Sequence, residues 1–300
     1  MNKEREMTKT GAASRTVGLN GGALSRRSSE ILLAALIIAR STSYMFSKIL
    51  LQSMGQFTLL GVRSSIAFIV LALVCFRTLR KTKKEDVICG GLMGAAFFIV
   101  MFFELAALKN TTSVAVSFEE NSAVVLVPIF TAILTRKLPS KKTLLIFLMA
   151  GTGIVLLSFK PEGFRFNRGD VFGIMAAVTY AMTIILISYL SDKADPIRAG
   201  VYQVGSMGLL SMIAAFITES PALPATGTEW GCMLYLAIVC SVFGFTLQPF
   251  AQKGTTAERA GMMCALNPVT AAVLGTVCLG EELSIKGIIG AARIVAGILI

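Results

Sequence analysis

Residues 87–108 read VICGGLMGAAFFIVMFFELAAL. This stretch is apolar on every side of a helix, not along one stripe, and at 1.5 Å per residue it spans about 33 Å. That is the thickness of a bilayer's hydrocarbon core. Its one charged residue is Glu104. An ionised side chain there costs at least ~2.5–3.5 kcal/mol on insertion scales, so it calls for a partner, a polar cavity or a neutral form. One segment thus announces both a membrane fold and a candidate site.

The rest of the 300-residue chain repeats the pattern. It is 55% hydrophobic and 15% charged, with a mean hydropathy of +0.75. Soluble domains carry about 25% charged residues. The composition therefore excludes a disordered chain, a secreted disulfide scaffold and a nucleic-acid-binding domain. Ten stretches have the length and polarity of membrane spans: 30–50, 58–76, 87–108, 112–134, 143–159, 169–190, 199–217, 230–252, 258–279 and 285–300. The first is interrupted by Arg40-Ser41-Thr42-Ser43 and the last is short. Connections are brief and leave no room for a soluble domain. Residues 1–29 are polar, lack the apolar core of a secretory signal and read as a disordered cytoplasmic tail.

Net charge is +11, which in an apolar chain points to the positive-inside rule. With the N-terminus inside, 19 of the 28 basic residues fall on the cytoplasmic side and 6 outside; Arg40, Arg63 and Arg293 lie within spans. Both termini are then cytoplasmic, in the cell membrane. Loop 160–168 dissents, with Lys160, Arg165 and Arg168 outside. The basic run Arg77, Arg80, Lys81, Lys83 and Lys84 suits anionic headgroups or serves as a topology determinant.

The chain also contains a weak copy of itself. Leu108-Lys109-Asn110-Thr111-Thr112 returns as Gln252-Lys253-Gly254-Thr255-Thr256, and Leu134-Thr135-Arg136-Lys137-Leu138 as Leu279-Gly280-Glu281-Glu282-Leu283. Both matches keep nearly one offset. Five spans per copy is an odd number, so the second copy enters the membrane in the opposite sense. The predicted fold is an all-α integral membrane protein of ten transmembrane helices in two inverted five-helix repeats, a signature of secondary transporters. The divisions are a tail (1–29), a first repeat (30–159), a linking loop (160–168) and a second repeat (169–300).

Several features resemble the drug/metabolite transporter (DMT) superfamily, EamA-type. In the second half these are Gly169-Asp170, Ala176-Ala177, Tyr180-Ala181, Asp195-Pro196, Asn267-Pro268, Leu279-Gly280-Glu281 and the glycines Gly287, Gly290 and Gly297. Tyr44 to Lys48, Arg63 and Gly151-Thr152-Gly153 add to it in the first half. Ser41-Thr42, Ala123 and Arg136 depart from the pattern, standing where Trp-Gly, Pro and Glu are usual. The resemblance implies a carrier of amino acids, nucleosides, other metabolites or drugs, often an exporter and often proton-coupled.

The candidate substrate and proton pathway is the polar remainder inside the spans. Glu119 and Glu120 sit near the middle of the fourth span, about 100° apart on a helix. One is expected to line a cavity and the other to pair with an arginine, Arg40 first. Glu104 and Arg63 are expected to form a second pair near the outer ends of their spans. Gln203 occupies the place of Arg63 in the second half, and Gln248 that of Glu104. Amides in place of charges suit a zwitterionic or neutral polar solute. Tyr44, Tyr180 and Tyr202 offer rings and hydroxyls, and Asn267-Pro268 a freed carbonyl. Glu281-Glu282 reads as a helix-end feature.

There is no histidine. The six cysteines form no CxxC pair and read as small buried residues. No Walker loop, dinucleotide motif or nucleophile elbow occurs. No cofactor, metal or nucleic acid is expected. The partners are a small-molecule substrate and the lipid bilayer, with the chain a monomer or homodimer. The alternatives to a carrier are an integral-membrane enzyme and a non-transporting sensor subunit.

Overall fold

The computed structural model describes residues 25–111, 113–136, 167–279 and 285–299, with a few helical residues between 141 and 152. The expected fifth span lies largely outside the described residues. Loop 160–168 up to residue 166, Glu281-Glu282 and the tail to residue 24 lie outside them as well. The described residues form helices and turns and no strand. Seven helical stretches are long and apolar enough to cross a membrane: 26–50, 56–74, 84–110, 115–135, 168–190, 196–218 and 227–253.

In chain order the helices are α1 (Arg26–Ser41), α2 (Ser43–Leu50), α3 (Gln56–Val74), α4 (Phe76–Leu79), α5 (Lys84–Asn110), α6 (Ser113–Asn121) and α7 (Ala123–Thr135). After them come α8 (Arg168–Leu190), α9 (Pro196–Thr218), α10 (Gly227–Tyr235), a π-helix (Leu236–Phe245), α11 (Gln248–Lys253), α12 (Ala257–Met263), α13 (Leu266–Leu279) and α14 (Ile285–Leu299). The first starts four residues before the expected edge, because Ser25 caps it by accepting from Ser28 N–H.

Among the described residues, four of the expected spans are broken well inside their length, while the second ends at a turn at Cys75. The first breaks at Thr42, where the Ser41 and Thr42 hydroxyls turn back onto the carbonyls of Ile38 and Ala39, both at 2.7 Å. Such back-bonding gives a carbonyl an alternative partner and weakens the ladder. The fourth breaks at Ser122, whose hydroxyl donates to Glu119 O at 2.6 Å while the Asn121 amide donates to Ser117 O. The eighth widens into the π-helix, with Ser241 Oγ donating to Leu236 O five residues back at 3.0 Å, then restarts after Leu247. The ninth breaks at Cys264-Ala265, between α12 and α13. The ladder, expected to lose a bond at Asn267-Pro268, is therefore interrupted slightly earlier. Pro268 and Pro249 each sit in the first turn of a restarted helix, where a missing N–H costs nothing.

Packing is between halves as much as within them. Helix α9 lies on α3 and α5, while α8 lies on α5, α6 and α7. The π-helix meets α1 and α3. Helix α1 also meets α11, α12 and α13, and α6 and α7 meet α13 and α12. One continuous apolar cluster runs through these contacts, including Leu33, Leu59, Met93, Phe97, Tyr180 and Val204.

Two helix starts are closed by fully engaged carboxylates. Asp86, in the first turn of α5, accepts from Arg198 Nε at 2.6 Å, Asp195 N at 2.8 Å and Lys83 N at 2.9 Å. Asp195 in turn caps α9. At another helix start, Glu219 accepts from Phe57 N at 3.1 Å, Thr58 N at 2.9 Å and Thr58 Oγ1 at 2.8 Å, capping α3 from the end of α9.

Candidate functional site

The four broken helices bring their breaks together. Arg40 is the penultimate residue of α1, Tyr44 lies in the first turn of α2, and Glu120 and Asn121 end α6. Phe245 ends the π-helix, Gln248 opens α11, and Cys264 stands in the gap before α13. Unbroken helices contribute Arg63 from α3, Phe97, Met101 and Glu104 from α5, Tyr180 from α8 and Gln203 from α9.

Arg40 is the hub. Its guanidinium carbon lies 4.4 Å from the ring centroid of Phe245, 5.3 Å from Tyr180 and 5.4 Å from Phe97. Cation–π contacts of this kind gain strength when desolvated. Its Nη1 donates to Tyr180 Oη at 2.9 Å and Gln248 Oε1 at 3.2 Å. Gly244 makes room for the stem, since a Cβ there would meet Arg40 Cγ at 2.6 Å. Cys264 Sγ donates to Tyr180 Oη at 3.5 Å.

A carboxyl layer lies beside this cage. Tyr44 Oη donates to Glu120 Oε2 at 3.0 Å. The Glu104 and Glu120 side chains lie within hydrogen-bonding reach of each other, and Glu104 is within electrostatic range of Arg63 and Arg40. Arg63, almost fully buried at 1% exposure, donates from Nη2 to the Met101 sulfur at 3.4 Å. A thioether is a weak acceptor for a guanidinium. Its Nε and Nη1 have no protein partner, and no protein N–H meets Glu104 Oε1, Glu120 Oε1 or Gln203 Oε1. The Gln203 amide donates to Phe245 O at 3.2 Å, which holds the end of the π-helix. Asn267 Nδ2 donates to Asn121 Oδ1 at 2.8 Å across two of the breaks.

The expected pairings are revised by this geometry. Arg40 makes no ion pair within 4.0 Å with Glu119 or Glu120; among the described residues such pairs are Arg26–Glu30, Arg198–Asp86, Arg198–Asp195 and Arg259–Glu30. The aromatic cage and two neutral acceptors hold it instead, and Tyr44 occupies the carboxylate. Glu119 and Glu120 do diverge, as a 100° step requires. Glu119, however, turns to α8, packing against Gly173 and interacting with the Asp170 side chain, so its neighbour is a carboxyl and not an arginine. Arg63 and Glu104 belong to the same cluster as Arg40 and make no separate pair within 4.0 Å. Tyr202 stands apart, donating to Thr82 Oγ1 at 3.3 Å near the basic run. Arg293 is exposed on α14.

Sequence reasoning missed Phe97, Phe245, Met101, Asn121 and the role of Cys264. Apolar residues in an apolar span carry no mark of their own. The breaks were better signalled, by Pro249 and Pro268 and by hydroxyl residues beside Arg40 and Glu120.

A polytopic helical bundle with polar groups gathered at interrupted helices is the architecture of a membrane carrier. Comparison with known proteins agrees. The model of the EamA-like transporter family matches residues 27–159 and again 167–300. The chain belongs to that family, and is a multi-pass membrane protein. An uncharacterized transporter of Archaeoglobus fulgidus is 26% identical over 283 residues, covering 93% of this chain and 88% of its own. The uncharacterized transporter YetK of Bacillus subtilis is 24% identical over 296 residues, covering 93% and 89%. A solved crystal structure shares the fold with a TM-score of 0.74 over 91% of this chain and 96% of its own, at 20% identity.

Proposed function

We propose that the protein is a secondary carrier of small organic metabolites, such as amino acids or drugs, working by alternating access in the cell membrane with both termini cytoplasmic. The observation that carries this reading is a buried polar set left short of partners, Arg63 and Gln203 with unmet groups and Glu104 and Glu120 facing each other without a cation in contact, gathered where four helices are interrupted. An unmet buried polar group costs about 1–3 kcal/mol, more when charged. A polar solute crossing the bilayer offsets that cost by supplying the missing partners. A guanidinium and two carboxyls gathered in one buried cluster suit a zwitterion, with Arg63 toward an anionic group and Glu104 and Glu120 toward a cationic one.

Two inverted five-helix repeats are the proposed frame. Exchanging the halves carries the main helix contacts onto one another: α5 with α8 corresponds to the 227–253 stretch with α1, and α5 with α9 to the π-helix with α3. Asn121 and Asn267 are equivalent under this exchange, 146 residues apart and bonded to each other. Outward transport coupled to protons through Glu120 and Glu104 completes the proposal.

The test is flux into proteoliposomes from a panel of amino acids, nucleosides and cationic drugs, with and without a pH gradient. Saturable uptake that depends on the gradient is the expected result. Glu120→Gln is expected to lose the gradient dependence. Full transport with an unchanged pH profile in both Glu119→Gln and Glu120→Gln overturns the carboxylate role, and absence of saturable flux for every compound overturns the carrier reading for these solutes.

A further inference from the structure

A groove of about 550 Å³ lies outside the central cluster, between α3, α5 and α9. Phe68, Ile69, Gly91, Gly205, Tyr202 and Met212 are among the residues that line it. Its wall is apolar, and Ile69 and Leu209 are about three-fifths exposed on its rim. From Tyr202 to Met212 it runs along α9 for ten residues, or about 15 Å. All three helices are membrane spans, so the groove faces hydrocarbon and not water.

One end of the groove has a different character. Tyr202 donates to Thr82 there, and Thr82 belongs to the connection between α3 and α5. This connection and the helix ends beside it hold Arg77, Arg80, Lys81, Lys83 and Lys84, all exposed. None of the five makes an ion pair within 4.0 Å with a described residue. The neighbouring Asp86 is already taken by Arg198, and the exposed acidic residues beside the Lys83 end of the run are Glu85 and Asp192. A slot about one acyl chain long thus opens under a cluster of exposed cations without ion-pair partners among the described residues, Arg80 resting over the Phe76 ring.

We propose that this groove is a binding site for an anionic phospholipid, one acyl chain lying along α9 and the headgroup meeting the 77–84 run. The attraction between such a headgroup and each basic side chain near a membrane surface corresponds to about a fivefold preference. The walls come from both halves of the chain, α3 and α5 from the first and α9 from the second. A lipid seated there acts as a wedge between them and ties their relative position to membrane composition. This site is independent of the central cluster and of what the protein carries.

Native mass spectrometry of the detergent-purified full chain tests it, with phosphatidylglycerol and phosphatidylcholine of matched acyl chains offered in competition. One phosphatidylglycerol retained at least fivefold over phosphatidylcholine is expected. Gly91→Leu puts a side chain into the slot, and a Cβ at Gly91 meets no atom within 4 Å, so the fold is expected to hold. This variant is expected to lose the adduct at unchanged thermal stability. The triple variant R77Q/R80Q/K81Q is expected to lower the preference for phosphatidylglycerol by at least fivefold. Equal retention of the two lipids by the unaltered protein overturns the proposal. So does an adduct indifferent to Gly91→Leu, or one that soluble glycerol phosphate displaces completely, since a headgroup alone then accounts for binding.

Discussion

The ends of the helices and the middle of the bundle treat buried charge in opposite ways. Around Asp86 every acceptor is used: Arg198, Asp195 N and Lys83 N surround one carboxylate, and Glu219 is as fully engaged on α3. Around Arg40 and Arg63 the protein gathers more donors and acceptors than it pairs. Arg63 Nε and Nη1 stay without partners, and one oxygen each of Glu104 and Glu120 without an N–H, at burial as complete as that of Asp86. A network that satisfies itself can only hold. One left short of partners in a low-dielectric interior is a place for something else to bind. The contrast separates residues that hold this protein together from those to which the proposed function assigns its work.

Substitutions at the two places are expected to separate stability from transport. The largest effect belongs to Asp86→Ala, which leaves Arg198 only its longer pair with Asp195 and strips two backbone N–H groups of their acceptor. Loss of one partner from such a pair costs about 3 kcal/mol. A markedly lower unfolding temperature in detergent is expected, with transport per folded molecule unchanged. Lost transport at full stability would break the distinction. Arg63→Met is expected to do the reverse, because the variant removes a buried charge held by a weak acceptor. Stability is retained or raised, while flux falls by about a hundredfold, the kinetic equivalent of a charged hydrogen bond worth about 3 kcal/mol. A thermal melt and a flux assay on the same preparation check both. Tyr180→Phe is the mildest, leaving the cation–π contact and removing one acceptor from Arg40. About a threefold to tenfold loss of flux is expected, and a larger loss would make the hydroxyl itself part of the solute site.

Much of this contrast was legible beforehand, but unevenly. Glu104, Glu120, Arg40 and Arg63 stood out because a charge inside an apolar run has no bland explanation as strong as its cost. Tyr44, Tyr180, Gln203 and Gln248 were named with them and do lie in or against the cluster. Tyr202 was named too and lies elsewhere, since a tyrosine in a span serves packing, interface and site equally well. Which charge meets which was not readable. The 100° step between Glu119 and Glu120 shows only that they part; the phase of α6 against α2 and α8 decides that Glu120 reaches Tyr44 while Glu119 reaches Gly173 and Asp170.

The sequence by itself determined the solvent of this protein. Twenty-residue apolar runs leave the backbone no partner but itself, so a bundle of helices follows from composition alone. It also determined which few side chains would be expensive to bury. The tertiary structure decided where the helices stop being continuous and that those interruptions meet around Arg40. Side-chain hydroxyls, an amide and a π-turn take over the freed carbonyls one by one. Whether such local exchanges win over an unbroken ladder depends on what each break faces across the bundle, and that is set by helices more than a hundred residues away.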